Sequence, residues 1–449
     1  MAKASSQFTC QACGAMFARW VGRCTTCNEW NSLVEEAVPT KASRKATGTS
    51  RVRPVSAIDA DQAARIPTGI GELDRVLGGG AVLGGVTLVG GDPGVGKSTL
   101  LMQALAGIAR QGHRSLYISG EESAGQTAAR ARRLGAIADD LLVLAENDLD
   151  AIEQALGEVK PHAIVIDSVQ TMHAASLESA AGTVSQLREV AARMVERSKR
   201  DGFATFLVGH VTKDGALAGP KVLEHLVDTV LAFEGERGHS FRALRTQKNR
   251  FGSATEVGVF EMTAEGMREV PNPSALFLAE RPRGVPGSVI AATNEGTRSM
   301  LVEVQALVGA LAAGSARRTA NGVDSGRLAM ILAVLERKSG LMLAGTDVFL
   351  NVAGGIRVEE PAIDLPIALA VASSLRDRAV AFDTVAFGEI GLAGEVRGVG
   401  RSPARLAEAA AMGFRRAIVP ANEAARGGPK ELTIVGVRTL EEALDATLA

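Results

Sequence analysis

Nine residues, Gly91-Asp92-Pro93-Gly94-Val95-Gly96-Lys97-Ser98-Thr99, constrain this chain more than any other stretch. They satisfy the spacing G-x-x-x-x-G-K-[ST], in which a glycine-rich turn lets backbone N–H groups converge on phosphate oxygens. An apolar run at 86–89 precedes the turn, and a helix-like segment at 98–110 follows it. Strand, turn and helix in that order commit the region to an α/β layer structure. The loop holds an anion because the strand delivers it to the positive end of the helix. Gly91, Gly94 and Gly96 remove the Cβ atoms that would keep the backbone from the phosphates. Lys97 is expected on the β- and γ-phosphates of ATP. Ser98 is expected to put its hydroxyl on Mg²⁺, with Thr99 beside it.

The surrounding sequence carries the matching pattern. GVTLVG, SLYISG, LLVLAE, AIVIDS, ATFLVG and TVLAFE are near-continuous apolar runs of strand length. Such runs suit strands buried on both faces of a largely parallel sheet. Segments such as 98–110 and 184–199 between them read as covering helices. Residues 61–275 are therefore expected to form a doubly wound αβα ATPase core. Asp167 closes the apolar strand 163–166, where the carboxylate that holds Mg²⁺ belongs. The strand at 116–119 runs into Gly120-Glu121-Glu122. Glu121 is assigned as the group that orients the attacking water, with Glu122 as the alternative. His210 follows the strand at 204–209 and is a candidate sensor of the γ-phosphate, ahead of the glycine-bearing loop 211–220.

All four cysteines lie in the first 27 residues, as Cys10-x₂-Cys13 and Cys24-x₂-Cys27. Two such knuckles can close four thiolates tetrahedrally on Zn²⁺. No position is left for water, so the zinc is expected to be structural. Trp20 and Trp30 are candidates for stacking on bases, although a module as small as 1–34 is expected to use both in its core. Residues 35–60 read as a flexible linker made basic by Lys41, Arg44, Lys45, Arg51 and Arg53. The net charge of −1 excludes a polycation, so a nucleic acid must meet a local patch or the lumen of an oligomer. No window reaches the roughly 18–20 apolar residues of a membrane span, and the start shows no secretory signal. No membrane partner is expected, and the expected location is the cytoplasm.

The pattern breaks near Pro271-Asn272-Pro273, and residues 276–449 restart with strands and helices of their own. Cysteine module, phosphate loop, the string Lys248-Asn249-Arg250-Phe251-Gly252 and a C-terminal α/β domain follow one another. In that combination the chain closely resembles the bacterial RadA/Sms family of DNA repair proteins, over nearly its whole length. The resemblance implies a RecA-like core, a hexameric ring and a helicase-like ATPase of homologous recombination. It implies binding of single-stranded and branched DNA, branch migration, and the recombinase RecA as a partner. Glu121 matches the catalytic glutamate of RecA-like ATPases, and Asp167 the metal-binding acid. In such rings, cations placed like Lys248 and Arg250 reach the neighbour's ATP; a role coupled to DNA is the alternative for them.

The C-terminal domain resembles the Lon protease domain. Lon-type proteolysis needs a serine nucleophile and a lysine base. Ala362 stands where the serine is expected, in Glu359-Glu360-Pro361-Ala362, and Pro403 stands at the lysine position. The domain is therefore expected to be proteolytically inactive and to assemble the ring, with Arg317, Arg318, Arg327, Arg337 and Lys338 either offered to DNA or forming ordinary surface.

Overall fold

The six apolar runs form the six parallel strands of one nine-stranded sheet. In the computed structural model, which describes residues 6–10, 14–37, 64–209, 222–235, 241–311, 316–355 and 357–448, the parallel set runs Thr229–Glu234, Val86–Gly91, Ala204–Val208, Ala163–Asp167, Ser115–Ser119, Leu141–Ala145 across the sheet. Phe241–Asn249, Val257–Thr263 and Gly266–Glu269 extend it antiparallel beyond Thr229–Glu234. Alternate residues of one strand enter different cores. Leu88, Leu116, Ile118, Ile164 and Ile166 pack with helices Leu149–Val159 and Val184–Asp201. Val89, Tyr117, Val165 and Phe206 pack with helices Gly71–Leu77 and Lys97–Arg110. A strand covered on both faces has no polar side, which is why these runs are continuous rather than alternating.

Local signals set the helix ends. Ser123 accepts from the Gln126 N–H while Gln126 accepts from the Ser123 N–H, a capping box that starts Ala124–Arg133 directly after the glutamate pair. Gly202, in the left-handed region, ends Val184–Asp201.

Residues 6–37 contain a three-stranded antiparallel sheet, Met16–Phe17, Ser6–Cys10, Leu33–Ala37. Its core is Cys10, Cys24 and Leu33, backed by Phe8, Ala15, Phe17 and Val21. So few apolar groups do not hold a fold without a staple. Neither tryptophan contributes, contrary to the expectation from module size: both lie more than half exposed, because the buried space is filled by the thiols and smaller side chains.

The chain divides into two units after Glu269. The division falls beside the Pro271–Pro273 break rather than after residue 275, because helix Pro273–Leu278 packs on strand Arg298–Leu311 of the second unit. The second unit is built on a mixed seven-stranded sheet, in the order Arg318–Asn321, Thr346–Val352, Arg298–Leu311, Ser288–Glu295, Thr384–Ala386, Arg416–Pro420, Thr433–Val437. Among the described residues, no helix is long and apolar enough to cross a membrane. Cys13, His210, the loop 211–220 and the linker cations from Lys41 to Arg53 lie outside the described residues.

One wholly buried cation ties the second unit together. The Arg405 guanidinium donates to both oxygens of Glu360, to the Ala292 carbonyl at 2.6 Å and to the Gly400 carbonyl at 3.0 Å. Removing Arg405 leaves the mostly buried Glu360 carboxylate uncompensated. Arg405→Ala is therefore expected to destabilise this unit by about 3 kcal/mol, read as a lower urea midpoint by far-UV circular dichroism. A midpoint equal to the parent's would show that Glu360 finds water at no cost.

Candidate nucleotide site and metal module

Strand Val86–Gly91 delivers the glycine-rich turn to the first turn of helix Lys97–Arg110. Gly91 has φ +152°, and a Cβ there would lie 2.7 Å from the Phe233 Cβ. Gly94 has open space around it but φ +81°, so its requirement is conformational. Asp92, Pro93 and Gly94 form the exposed tip, Val95 is anchored in the core, and Ser98 and Thr99 are half-buried. Lys97 is only 4% exposed, and its ammonium donates to the Gly91 carbonyl at 2.7 Å and the Asp92 carbonyl at 3.0 Å. Burial lowers its pKa, and the carboxylates of Asp167, Asp92 and Glu121 oppose that shift. The loop lysine, the strand-ending aspartate and the first glutamate therefore share one electrostatic neighbourhood.

Register explains how. Strands Ser115–Ser119 and Ala163–Asp167 are parallel neighbours with Ser119 opposite Asp167. Both chains leave the sheet at the same level, and the Gly120 N–H donates to the Asp167 carbonyl at 3.0 Å. Glu121 thereby meets Ser168, whose hydroxyl donates to its carboxylate at 2.7 Å. Glu122 turns elsewhere. The Arg130 guanidinium lies 3.2 Å from its carboxylate, and the Thr127 hydroxyl donates to it at 3.5 Å.

Two participants escaped sequence reasoning. Tyr117, the chain's one tyrosine, donates its phenol proton to Asp167, shares a hydrogen bond with Ser98 and accepts from Arg130 at 2.8 Å. Burial first, and then the Asp167 charge, push its pKa far above the ordinary range, so the phenol stays a donor. It bridges the two side chains expected on Mg²⁺. Arg130, three residues beyond Thr127 on the same helix face, links Tyr117, Glu122 and, at 3.7 Å, Asp167. A lone tyrosine inside an apolar run was the available signal, since a buried hydroxyl must find a partner.

Lys248 and Arg250 sit at the other end of the sheet. Lys248 pairs with Val230 and Asn249 with Thr229, and Thr229 lies level with Thr87, four residues before Gly91. The Lys248 ammonium donates to the Glu224 and Val227 carbonyls at 2.7 and 2.8 Å, and its burial lowers its pKa. Arg250 pairs with the buried Asp228 at 3.0 Å and remains half-exposed. Neither approaches the phosphate loop of its own chain.

The cysteine module repeats one backbone motif. The Cys10 N–H donates to Ala15 and the Gly14 N–H to Cys10; likewise the Cys24 N–H donates to Glu29 and the Asn28 N–H to Cys24, all at 2.8–2.9 Å. Gly14 and Asn28 take the same left-handed conformation. The sulfurs of Cys10, Cys24 and Cys27 lie within 4.8 Å of one another, with Cys10 and Cys27 3.7 Å apart. Converging thiols on two equivalent knuckles fit a tetrahedral zinc site.

Comparison with known proteins agrees with each part. A rubredoxin metal binding domain family matches residues 8–35, an AAA domain family residues 51–216, and the family described as subunit ChlI of Mg-chelatase residues 326–423. The DNA repair protein RadA of Halalkalibacterium halodurans is 50% identical over 457 aligned residues, covering 100% of both chains. Its counterparts in Bacillus subtilis and Escherichia coli are 48% and 47% identical over 99–100% of each chain. The chain belongs to the RadA family of DNA repair proteins. Its fold joins a RecA-like core, an N-terminal zinc ribbon and a C-terminal domain of the ChlI and Lon type.

In that last domain Ala362 is fully buried, and Pro403 lies in the first turn of helix Ser402–Ala411. Two residues from each, Glu360 and Arg405 form the buried pair described above. Among the expected DNA-facing cations, Arg317, Arg318, Arg337 and Lys338 are exposed. Arg327 is not available in the same way, because its guanidinium lies 2.8 Å from the buried Asp364.

Tyr117→Phe removes the hydroxyl that links Ser98 to Asp167. It is expected to raise the Mg²⁺ concentration for half-maximal binding of a fluorescent ATP analogue about tenfold, the size of one charge-assisted hydrogen bond. An unchanged Mg²⁺ titration would reduce the phenol to a packing role.

Proposed function

We propose that this chain is a DNA-dependent ATPase of homologous recombination and repair, working in the cytoplasm as a ring, of six subunits by family resemblance. It binds single-stranded and branched DNA, drives branch migration, and acts beside the recombinase RecA. Membership of a DNA repair family over the full chain supports the pathway. The observation that carries the motor reading is the separation of Lys248 and Arg250 from their own phosphate loop. Cations that serve hydrolysis from that end can do so only at another subunit's nucleotide.

The assignment of roles follows from the chemistry of the groups. Backbone N–H groups of residues 91–96 and the Lys97 ammonium bind the phosphates. Ser98 and Asp167 hold Mg²⁺, which supplies positive charge to the phosphate oxygens when bound. Tyr117 orients both. Glu121, held by the Ser168 hydroxyl and close to Lys97, is placed to take the proton of the attacking water. Glu122 is paired with Arg130 and turned away from that position. Arg250, and Lys248 with it, neutralises charge on the neighbour's transferred phosphoryl group. Zinc has a structural role on four thiolates, Cys10, Cys13, Cys24 and Cys27. A peptidase reading lacks its nucleophile and its base at Ala362 and Pro403. A nucleotide-gated scaffold remains the rival, and Lys97→Ala tests it: a variant that moves branched DNA as fast as the parent sinks the motor.

Glu121→Gln is expected to lower ATP turnover by about 10²–10⁴-fold with nucleotide affinity kept, whereas Glu122→Gln lowers it less than about tenfold. Equal losses would overturn the choice between them. Arg250→Ala and Lys97→Ala are each expected to be nearly inactive, Arg250→Ala by about 10³-fold. Mixed in equal amounts they should regain activity, because an intact loop of one then meets an intact arginine of the other. A mixture as inactive as its components would place Arg250 in its own subunit's chemistry or in none.

A further inference from the structure

Trp20 and Trp30 are 54% and 66% exposed on a module whose small core could have used them. The six-membered ring of each reaches Gly22. A Cβ built on Gly22 would lie 3.6 Å from Trp20 Cη2 and 3.8 Å from Trp30 Cζ3. The backbone beneath them is fixed: Arg23 and Trp30 form an antiparallel bridge, and the Asn31 N–H donates to the Gly22 carbonyl at 2.9 Å. The Arg23 guanidinium lies 5.7 Å from the centre of the Trp30 ring while its Nε donates to the Asn28 carbonyl at 2.9 Å. Asn28 belongs to the second metal knuckle, so the rings are mounted on the loop that carries Cys24 and Cys27.

We infer that Trp20, Trp30 and Arg23 form a stacking platform for the unpaired bases of single-stranded DNA. The inference rests on the DNA-binding reading above and names a subsite for it outside the ATPase core. Indole faces accept any base, because every base has a π-face, and a guanidinium beside them adds cation–π attraction. In sequence, the rings are flanked by Arg19, Arg23 and Glu29, two cations against one anion and a small net charge. Stacking rather than phosphate attraction must then dominate at this subsite, and its response to salt is shallow. Rings mounted on one hydrogen-bonded loop around Gly22 lose little backbone freedom on binding, so the contact is pre-organised.

The chain contains no other tryptophan, so indole fluorescence reports this surface alone. The full-length zinc-loaded protein is titrated with a labelled oligothymidylate, following indole emission and oligonucleotide anisotropy together. The expected result is quenching that saturates with the anisotropy and survives a rise in salt. Replacing both indoles by alanine should weaken oligonucleotide binding about tenfold or more, from roughly 1–3 kcal/mol per stacked base. Replacing both by phenylalanine should restore most of it. Zinc content and ATP turnover without DNA should match the parent in both variants. Anisotropy that rises with no change in emission, and a double-alanine variant that binds as the parent does, would overturn the platform and leave the DNA-dependent ATPase standing. No anisotropy change at all would remove the DNA-binding reading itself. Emission that depends on protein concentration without DNA would make the surface a contact between copies, and would also overturn the proposal.

Discussion

A lysine ammonium shut away from water is the constraint around which the first unit is organised. A charge this buried must be met by oriented dipoles and opposite charge, or it loses its proton. Lys97 has both: two carbonyls of its own loop, and the carboxylates of Asp92, Asp167 and Glu121. That demand fixes more than one side chain. It needs a turn whose carbonyls point inward, hence glycines at Gly91 and Gly94, and strands whose acidic ends emerge beside it. Parallel pairing is the arrangement that brings such ends to one edge of a sheet, and the two-sided burial of parallel strands follows from the helices that connect them.

What could be read from sequence follows this division between local and distant causes. The six apolar runs, the phosphate loop and Asp167 were legible because periodicity and spacing express them within a few residues. The glutamate pair was visible, but the difference between its members was not. That difference comes from Ser168 and Arg130, side chains brought in by other elements. Tyr117 looked like one more apolar strand residue until Ser98 and Asp167 closed on its hydroxyl. The tryptophans were misread for a related reason: hydrophobicity predicts burial only where the core has room, and thiols and Leu33 had already filled this one.

In the C-terminal unit two chain segments are tied together by buried charge. The first carries the buried Ala362, and the second carries Pro403 in the first turn of its helix. Beside them, Glu360 and Arg405 hold the same two segments together through a buried ion pair and two carbonyl contacts. Arg327 and Asp364 add a second pair, with burial raising the Asp364 carboxyl to about 6. Because that pKa lies above its unfolded value, the stability Asp364 contributes is complete in acid and declines as pH rises through about 6.

The location of Lys248 and Arg250 has a geometric consequence. Thr87 and Gly91 are separated by four residues of extended chain, about 13 Å at roughly 3.3 Å per residue. The sheet is therefore a ruler. In a ring built as proposed, the stiffness of its parallel strands fixes the offset between the nucleotide a subunit holds and the nucleotide it completes. A subunit that tilts on one nucleotide must carry its far end, with the arginine, through a matching displacement at the next. In such a ring, rigid strands would make neighbouring hydrolysis events mechanically dependent, with no separate linkage required.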